Sequence, residues 1–161
     1  MFDKYKRLTF EQLNAKAELL RVVKDREALE ELAMENGIGF YDTERFFDGE
    51  LDELANLTEA ACGRICVETR EIDIRGSIVE CGLYTMFRYV VQHDGEVQRA
   101  VMDGDRSAMD CLRTLMTEYT QTVTKLPFRV PEATVIMNLT HGDVKRIVRE
   151  FYLGEEGKHV I

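Results

Sequence analysis

Six carboxylates fall within one short run of the chain: Asp42, Glu44, Asp48, Glu50, Asp52 and Glu53. Carboxylates can act as acids and bases only when a cleft shifts their pKa, and spacing along the chain does not create a cleft. What the run does offer is a dense negative surface. Other groupings imitate reactive sites and fall short. Asp103, Asp105 and Ser107 occupy the first three ligand positions of a calcium loop, but Ala108 and Thr114 stand where that loop needs glycine and glutamate, so the segment reads as a turn and helix N-cap. Cys62 and Cys66, four apart, share a helical face and resemble half of a zinc site. Cys81 and Cys111 are isolated and His93, His141 and His159 are scattered, so the cysteines are expected to be core thiols. Gly37-Ile38-Gly39 is too short for a phosphate loop and is followed by no Lys-Ser or Lys-Thr. His93-Asp94 reads as part of a turn. No catalytic residue, metal or cofactor is expected, and the chain is not read as an enzyme.

The charge surrounding the six carboxylates extends further. The 161 residues carry a formal charge of −9. Residues 30–73 alone hold thirteen acidic and three basic side chains, while the flanking stretches are nearly balanced. Phosphate backbones are bound by Lys and Arg that displace counterions, so direct DNA or RNA binding through this stretch is disfavoured. A basic protein groove would be attracted to it. An apolar content of 45% and a charged content of 32% are the balance of a globular protein. No window approaches the ~20 apolar residues a spanning helix needs, so no membrane association is expected. The N-terminus lacks the apolar core of a signal peptide, which predicts a cytoplasmic location with reduced thiols.

Stepping from side chains to the elements that must hold them, the periodicity is mainly helical. Thr9 and Gln12 form a capping-box pattern ahead of Phe10, Leu13, Ala17 and Leu20. Asp25 caps a second helix carrying Leu29, Leu32 and Ala33, which Asn36-Gly37 ends. Asp42 is expected to cap a short helix through Phe46 and Phe47, closed by Asp48-Gly49. Leu51, Leu54, Leu57 and Ala61 mark a fourth helix, and residues 65–69 read either as its continuation or as a strand. Helices follow at residues 77–92, around Val97–Val101 and around Ala108–Tyr119. Residues 126–131 form a proline-bracketed loop, and Val135, Met137 and Leu139 alternate as a short strand would. Thr140 then caps a last helix, in which Val144, Ile147, Val148, Phe151 and Tyr152 fit the apolar template. The expected architecture is a compact multi-helix domain over residues 1–125, including the acidic stretch, with a C-terminal loop and helix over 126–161 sharing its core. The strands remain an open alternative. The apolar stripes are compatible with a homodimer, although no long heptad pattern demands one.

Residues 28–49 resemble a helix-turn-helix. Ala33 permits close helix approach and Gly37 makes the turn. A DNA-reading second helix carries basic or amide side chains, yet this one offers Asp42, Glu44 and Asp48 against a single Arg45. Basic residues lie elsewhere: Lys145, Arg146 and Arg149 on the last helix.

Several short runs carry a family resemblance. Leu-Ala-Met-Glu-Asn-Gly-Ile (32–38), Asp-Gly-Glu-Leu-Asp-Glu-Leu (48–54), Ala-Ala-Cys-Gly (60–63), Val-Glu (67–68) and the closing Phe-Tyr-Leu-Gly (151–154) are similar to the PcfK-like small proteins of conjugative elements. That wider set includes an anti-CRISPR family that inhibits type II RNA-guided nucleases. Relatives carry a lysine-rich stretch before the penultimate helix, where this chain has Gly104-Asp105-Arg106-Ser107-Ala108. The resemblance implies a mobile-element protein whose partner is a CRISPR nuclease–guide complex. The six carboxylates would occupy a positive channel as a polyanion mimic, with Phe46 and Phe47 as candidate anchors. The alternative is a conjugation accessory or a helix-turn-helix-like regulatory protein that binds DNA or a partner protein.

Overall fold

Thr9 opens helix α1 (Phe10–Val22) through the reciprocal bonds its spacing to Gln12 predicts: its hydroxyl accepts from the Gln12 N–H at 3.2 Å, and the Gln12 side chain accepts from the Thr9 N–H at 3.0 Å. Asp25 caps α2 (Arg26–Glu35) one way only, its carboxylate accepting from the Ala28 N–H at 3.1 Å. Helices α3 (Phe40–Phe47), α4 (Leu57–Glu68), α5 (Ile78–His93), α6 (Gly95–Asp103), α7 (Ala108–Thr124) and α8 (His141–Leu153) follow. This computed structural model describes residues 4, 5, 7–70, 78–124 and 139–154. Among them there is no strand, and the molecule is mainly α. Residues 65–69 continue α4 to its C-cap at Thr69. The proline-bracketed loop 126–131 and the 135–139 strand expectation up to residue 138 lie outside the described residues; Leu139 is a buried bend ahead of α8.

Two boundaries differ from expectation. Helix α3 begins at Phe40, with Gly39 as its N-cap and no side-chain cap, and Asp42 lies inside its first turn. Residues 51–56 are irregular. The fourth helix starts at Leu57, where Asn56 and Glu59 form a capping box. Leu51 and Leu54 matched a helical stripe because a loop that tucks two leucines inward presents the same spacing as one helical face.

Helix α4 is central. It packs against α5, α6 and α7, and α8 closes the bundle against α5, α6 and α7. A helix surrounded on several sides needs small residues, and α4 buries Ala60, Ala61 and Gly63 alongside Ile65 and Val67. One core runs through the eight described helices, from Leu13 to Tyr152. Helices α1–α3 form a flank, joined to the bundle by α1 against α6 and by the α2–α3 turn against α4.

That turn is a close backbone contact. Gly37 takes φ +71°, and Ile38 N–H bonds back to Ala33 O at 2.9 Å in a Schellman closure. A Cβ on Gly37 would sit 2.5 Å from Gly63 O, and a Cβ on Gly63 would sit 2.5 Å from Asn36 O. The two glycines therefore require each other.

Polar groups also cross the bundle. Arg64 on α4 is 1% exposed, and its guanidinium donates to Met102 O at 2.9 Å and to Leu8 O. Glu68, one turn on, pairs with Arg7 at 3.2 Å and accepts from the Ala108 N–H at 2.7 Å at the start of α7. Arg7 also donates to Val101 O and Arg106 O. Burial, with the Arg7 charge second, lowers the Arg64 pKa to about 10, and Glu68 acts in the opposite direction. Tyr152 lies buried beside this group.

Candidate partner-binding surface

The acidic run is held out by buried anchors on both sides. In α3, Thr43 and Phe46 face inward. Phe46 is 1% exposed and so belongs to the core; it cannot serve as an anchor for a partner. Phe47 is half-buried beneath the Arg26 guanidinium, 4.9 Å from the ring centroid. Past the helix, Asp48 is the C-cap and Gly49 takes φ +81°, which lets Glu50 N–H return to Arg45 O at 2.8 Å. Arg21 reaches from α1 to clamp the segment, donating to Phe46 O at 3.3 Å and Leu51 O at 3.1 Å. Asn14 brackets Ala55 with one bond in each direction, at 3.1 and 3.3 Å. Between the inward-turned Leu51 and Leu54, Asp52 and Glu53 have no direction left but solvent.

The structure thus brings the six predicted carboxylates together on α3 and the loop after it. Asp48, Glu50, Asp52 and Glu53 are exposed, while Asp42 and Glu44 are half-exposed. Three of them have cationic neighbours: Arg26 lies 3.2 Å from Glu44 and 3.8 Å from Asp48, and Arg45 lies 3.1 Å from Glu50. Asp42, Asp52 and Glu53 have no cation within 4 Å among the described residues. Exposed pairs of this kind contribute about 0–1 kcal/mol, so a partner's cations can replace Arg26 and Arg45 at little cost.

Sequence reasoning missed an apolar patch beside this surface. Met34, Phe40 and Tyr41 are 64%, 68% and 72% exposed. Met34 and Phe40 line an open groove of about 420 Å³ between α2 and α3, with Ala33, Gly37, Ile38 and Thr43 completing its walls and Glu30 and Arg70 at its edge. The signal was available: with α3 starting at Phe40, the Phe46 face turns inward and the Phe40–Tyr41 pair faces out. Placing the cap at Asp42 hid it.

The basic residues of α8 are already committed. Arg149 is bound to Asp94 at 2.6 Å and to Glu96. Lys145 lies 3.9 Å from Asp94, and Arg146 pairs with Glu150 at 3.1 Å. A smaller concavity of about 300 Å³ beside them is lined by Tyr89, His93, His141 and Lys145, with Tyr89 stacked 4.1 Å from the His93 ring.

The thiols divide. Cys111 is buried and Cys62 half-buried, and desolvation raises both pKa values. Cys66 and Cys81 are exposed, which corrects the expectation of four core thiols. Among the described residues, no three His, Cys, Asp or Glu side chains are grouped to hold a metal, and no helix is long and apolar enough to cross a membrane. Burial also raises the Tyr152 hydroxyl. These shifts disfavour the anionic, nucleophilic forms of the buried thiols and phenol. Compared with protein families, curated proteins and solved structures, the chain matches none.

Proposed function

We propose that this protein binds and inhibits a type II RNA-guided CRISPR nuclease through the acidic surface formed by α3 and residues 48–53. The observation that supports this most is the display of Asp48, Glu50, Asp52 and Glu53 on a segment clamped by Arg21 and Asn14. A rigid display avoids most of the ordering cost that a loose acidic loop would incur on binding. RNA-guided nucleases hold nucleic acid in positive channels and read their short DNA motif with arginines, which is the complementary chemistry. The choice of target rests on the resemblance to the PcfK-like and anti-CRISPR proteins.

The test is DNA cleavage by several type II nuclease–guide complexes preincubated with the protein. Dose-dependent inhibition is expected against at least one. The variant with all six carboxylates changed to amides should lose it while keeping its helical content. Inhibition retained by that variant would overturn the polyanion mechanism.

The regulatory alternative needs several cations for phosphate, and α8 offers only Lys145 and Arg146 in weak exposed pairs, because Arg149 is held by Asp94 and Glu96. No shift of a short duplex is expected even at low salt.

A further inference from the structure

The groove between α2 and α3 adjoins the acidic surface, and its chemistry narrows what a partner must present. Single exposed apolar side chains are ordinary, but here Met34 and Phe40 line one concavity and Tyr41 is next to them. The groove is preformed, because Gly37 in its wall is seated on the backbone of Gly63 and cannot shift without moving α4. The protein's own arginines show what the aromatic rings of this helix accept. Arg21 lies over Phe46 at 4.5 Å, Arg26 over Phe47 at 4.9 Å and Arg45 over Tyr41 at 5.6 Å. Among the described residues, Phe40 alone of the four has no cation over its ring. Glu30, at the groove edge, has no cation within 4 Å among them either.

We propose that this groove docks a basic amphipathic segment of a partner protein. One apolar side chain enters between Met34, Ile38 and Phe40, and an arginine covers the Phe40 ring and pairs with Glu30. The proposal rests on the reading that the acidic surface meets a positively charged protein. Arg70 at the groove edge disfavours a uniformly cationic occupant and so selects an amphipathic one. A second copy of this chain is disfavoured because it would set two acidic 30–73 stretches against each other.

Two labelled peptides test this: a short helix of leucine and arginine, and the same helix with serine in place of leucine. The unaltered protein should bind the leucine peptide about tenfold more tightly, the loss expected when one well-packed anchor is removed. Phe40→Ala and Met34→Ala, both exposed and checked for unchanged helicity and Tm, should each abolish that preference. A preference that survives both substitutions overturns the groove proposal, as does equal binding of the two peptides by the unaltered protein. Self-association that Phe40→Ala disperses would identify the occupant as a second copy and overturn it too. The six-amide variant separates the two readings. If it binds both peptides as well as the unaltered protein and still prefers leucine, the acidic surface has failed and the groove stands.

Discussion

Arg64 shows how a single side chain can join the two parts of this molecule. Its guanidinium satisfies carbonyls from the segment before α1 and from α6, while Glu68 on the same helix pairs with Arg7 and caps α7. Because burial lowers its pKa, holding the charge inside costs stability at every pH below about 10, and the hydrogen bonds offset that cost. Arg64→Met should therefore leave the buried Met102 and Leu8 carbonyls under-satisfied, while Glu68 keeps Arg7 and the Ala108 N–H. The expected loss is about 2–5 kcal/mol in urea denaturation. The double variant Arg64→Met/Glu68→Leu should lose less than the sum of the two single changes, because each single change also removes the attraction between these two buried charges. The glycine pair is a second residue-scale constraint. Gly63→Ala should cost about 1–3 kcal/mol through overpacking against Asn36 O. Gly37→Ala adds a left-handed φ to a similar clash and should cost at least as much by the same measurement. Gly37 was legible in the sequence as a helix stop. Gly63 was not, because a mid-helix glycine looks like a weakness until the backbone it accommodates is known. The i, i+4 spacing of Arg64 and Glu68 on an otherwise small and apolar helix was the available clue to a buried polar network.

At the scale of elements, the side-chain caps of α1, α2 and α8 were readable, while the Asn56–Glu59 box of α4 was masked by the two leucines of the preceding loop. Thr9, Asp25 and Thr140 each announce a start, and each accepts the predicted backbone bond. Gly39 caps α3 without a side chain and Asp42 in the first turn offers a competing cap, so the start at Phe40 is legible only from which aromatic rings turn inward. That boundary decides which aromatics are available to a partner: Phe46, a candidate anchor by sequence, is core, and Phe40 is exposed. The best-specified end is that of α8, and it yields a pH prediction. Asp143 accepts from the Thr140 hydroxyl at 2.6 Å and the Thr140 N–H at 3.0 Å, and these bonds hold its carboxyl below the usual value of 3.8. A carboxylate whose pKa is lower folded than unfolded adds stability above the unfolded value, and that stability is lost as pH falls through the folded one. Acidification from pH 7 should lower the urea midpoint of the unaltered protein more steeply below about pH 4 than that of Asp143→Asn, in which this carboxylate no longer titrates. Thr140→Ala should cost about 1 kcal/mol at neutral pH. An identical acid limb in the two proteins would show that Asp143 is not held in this way.

At the scale of the whole molecule, the decisive property is where the charge lies rather than how much there is. Residues 30–73 carry the excess acid, and the six carboxylates within it sit on one clamped segment. The fields of these neighbouring charges overlap on a partner that approaches within the Debye length, ~10 Å at 0.1 M salt. The neighbouring groove contributes contact area, which salt does not screen. The two contributions should therefore separate in kinetics. Association with the Leu/Arg peptide should be fast at low ionic strength and slow steeply as salt rises. The six-amide variant should associate more slowly at low salt and converge on the unaltered protein at high salt. Phe40→Ala should leave the association rate and its salt slope nearly unchanged and instead raise the dissociation rate about tenfold, because contacts made after encounter act mainly on departure. Stopped-flow measurements across an ionic-strength series read both quantities. An association rate that does not respond to salt would mean the acidic surface does not steer its partner. A Phe40 effect on association rather than dissociation would mean the ring acts before docking, by shaping the free protein.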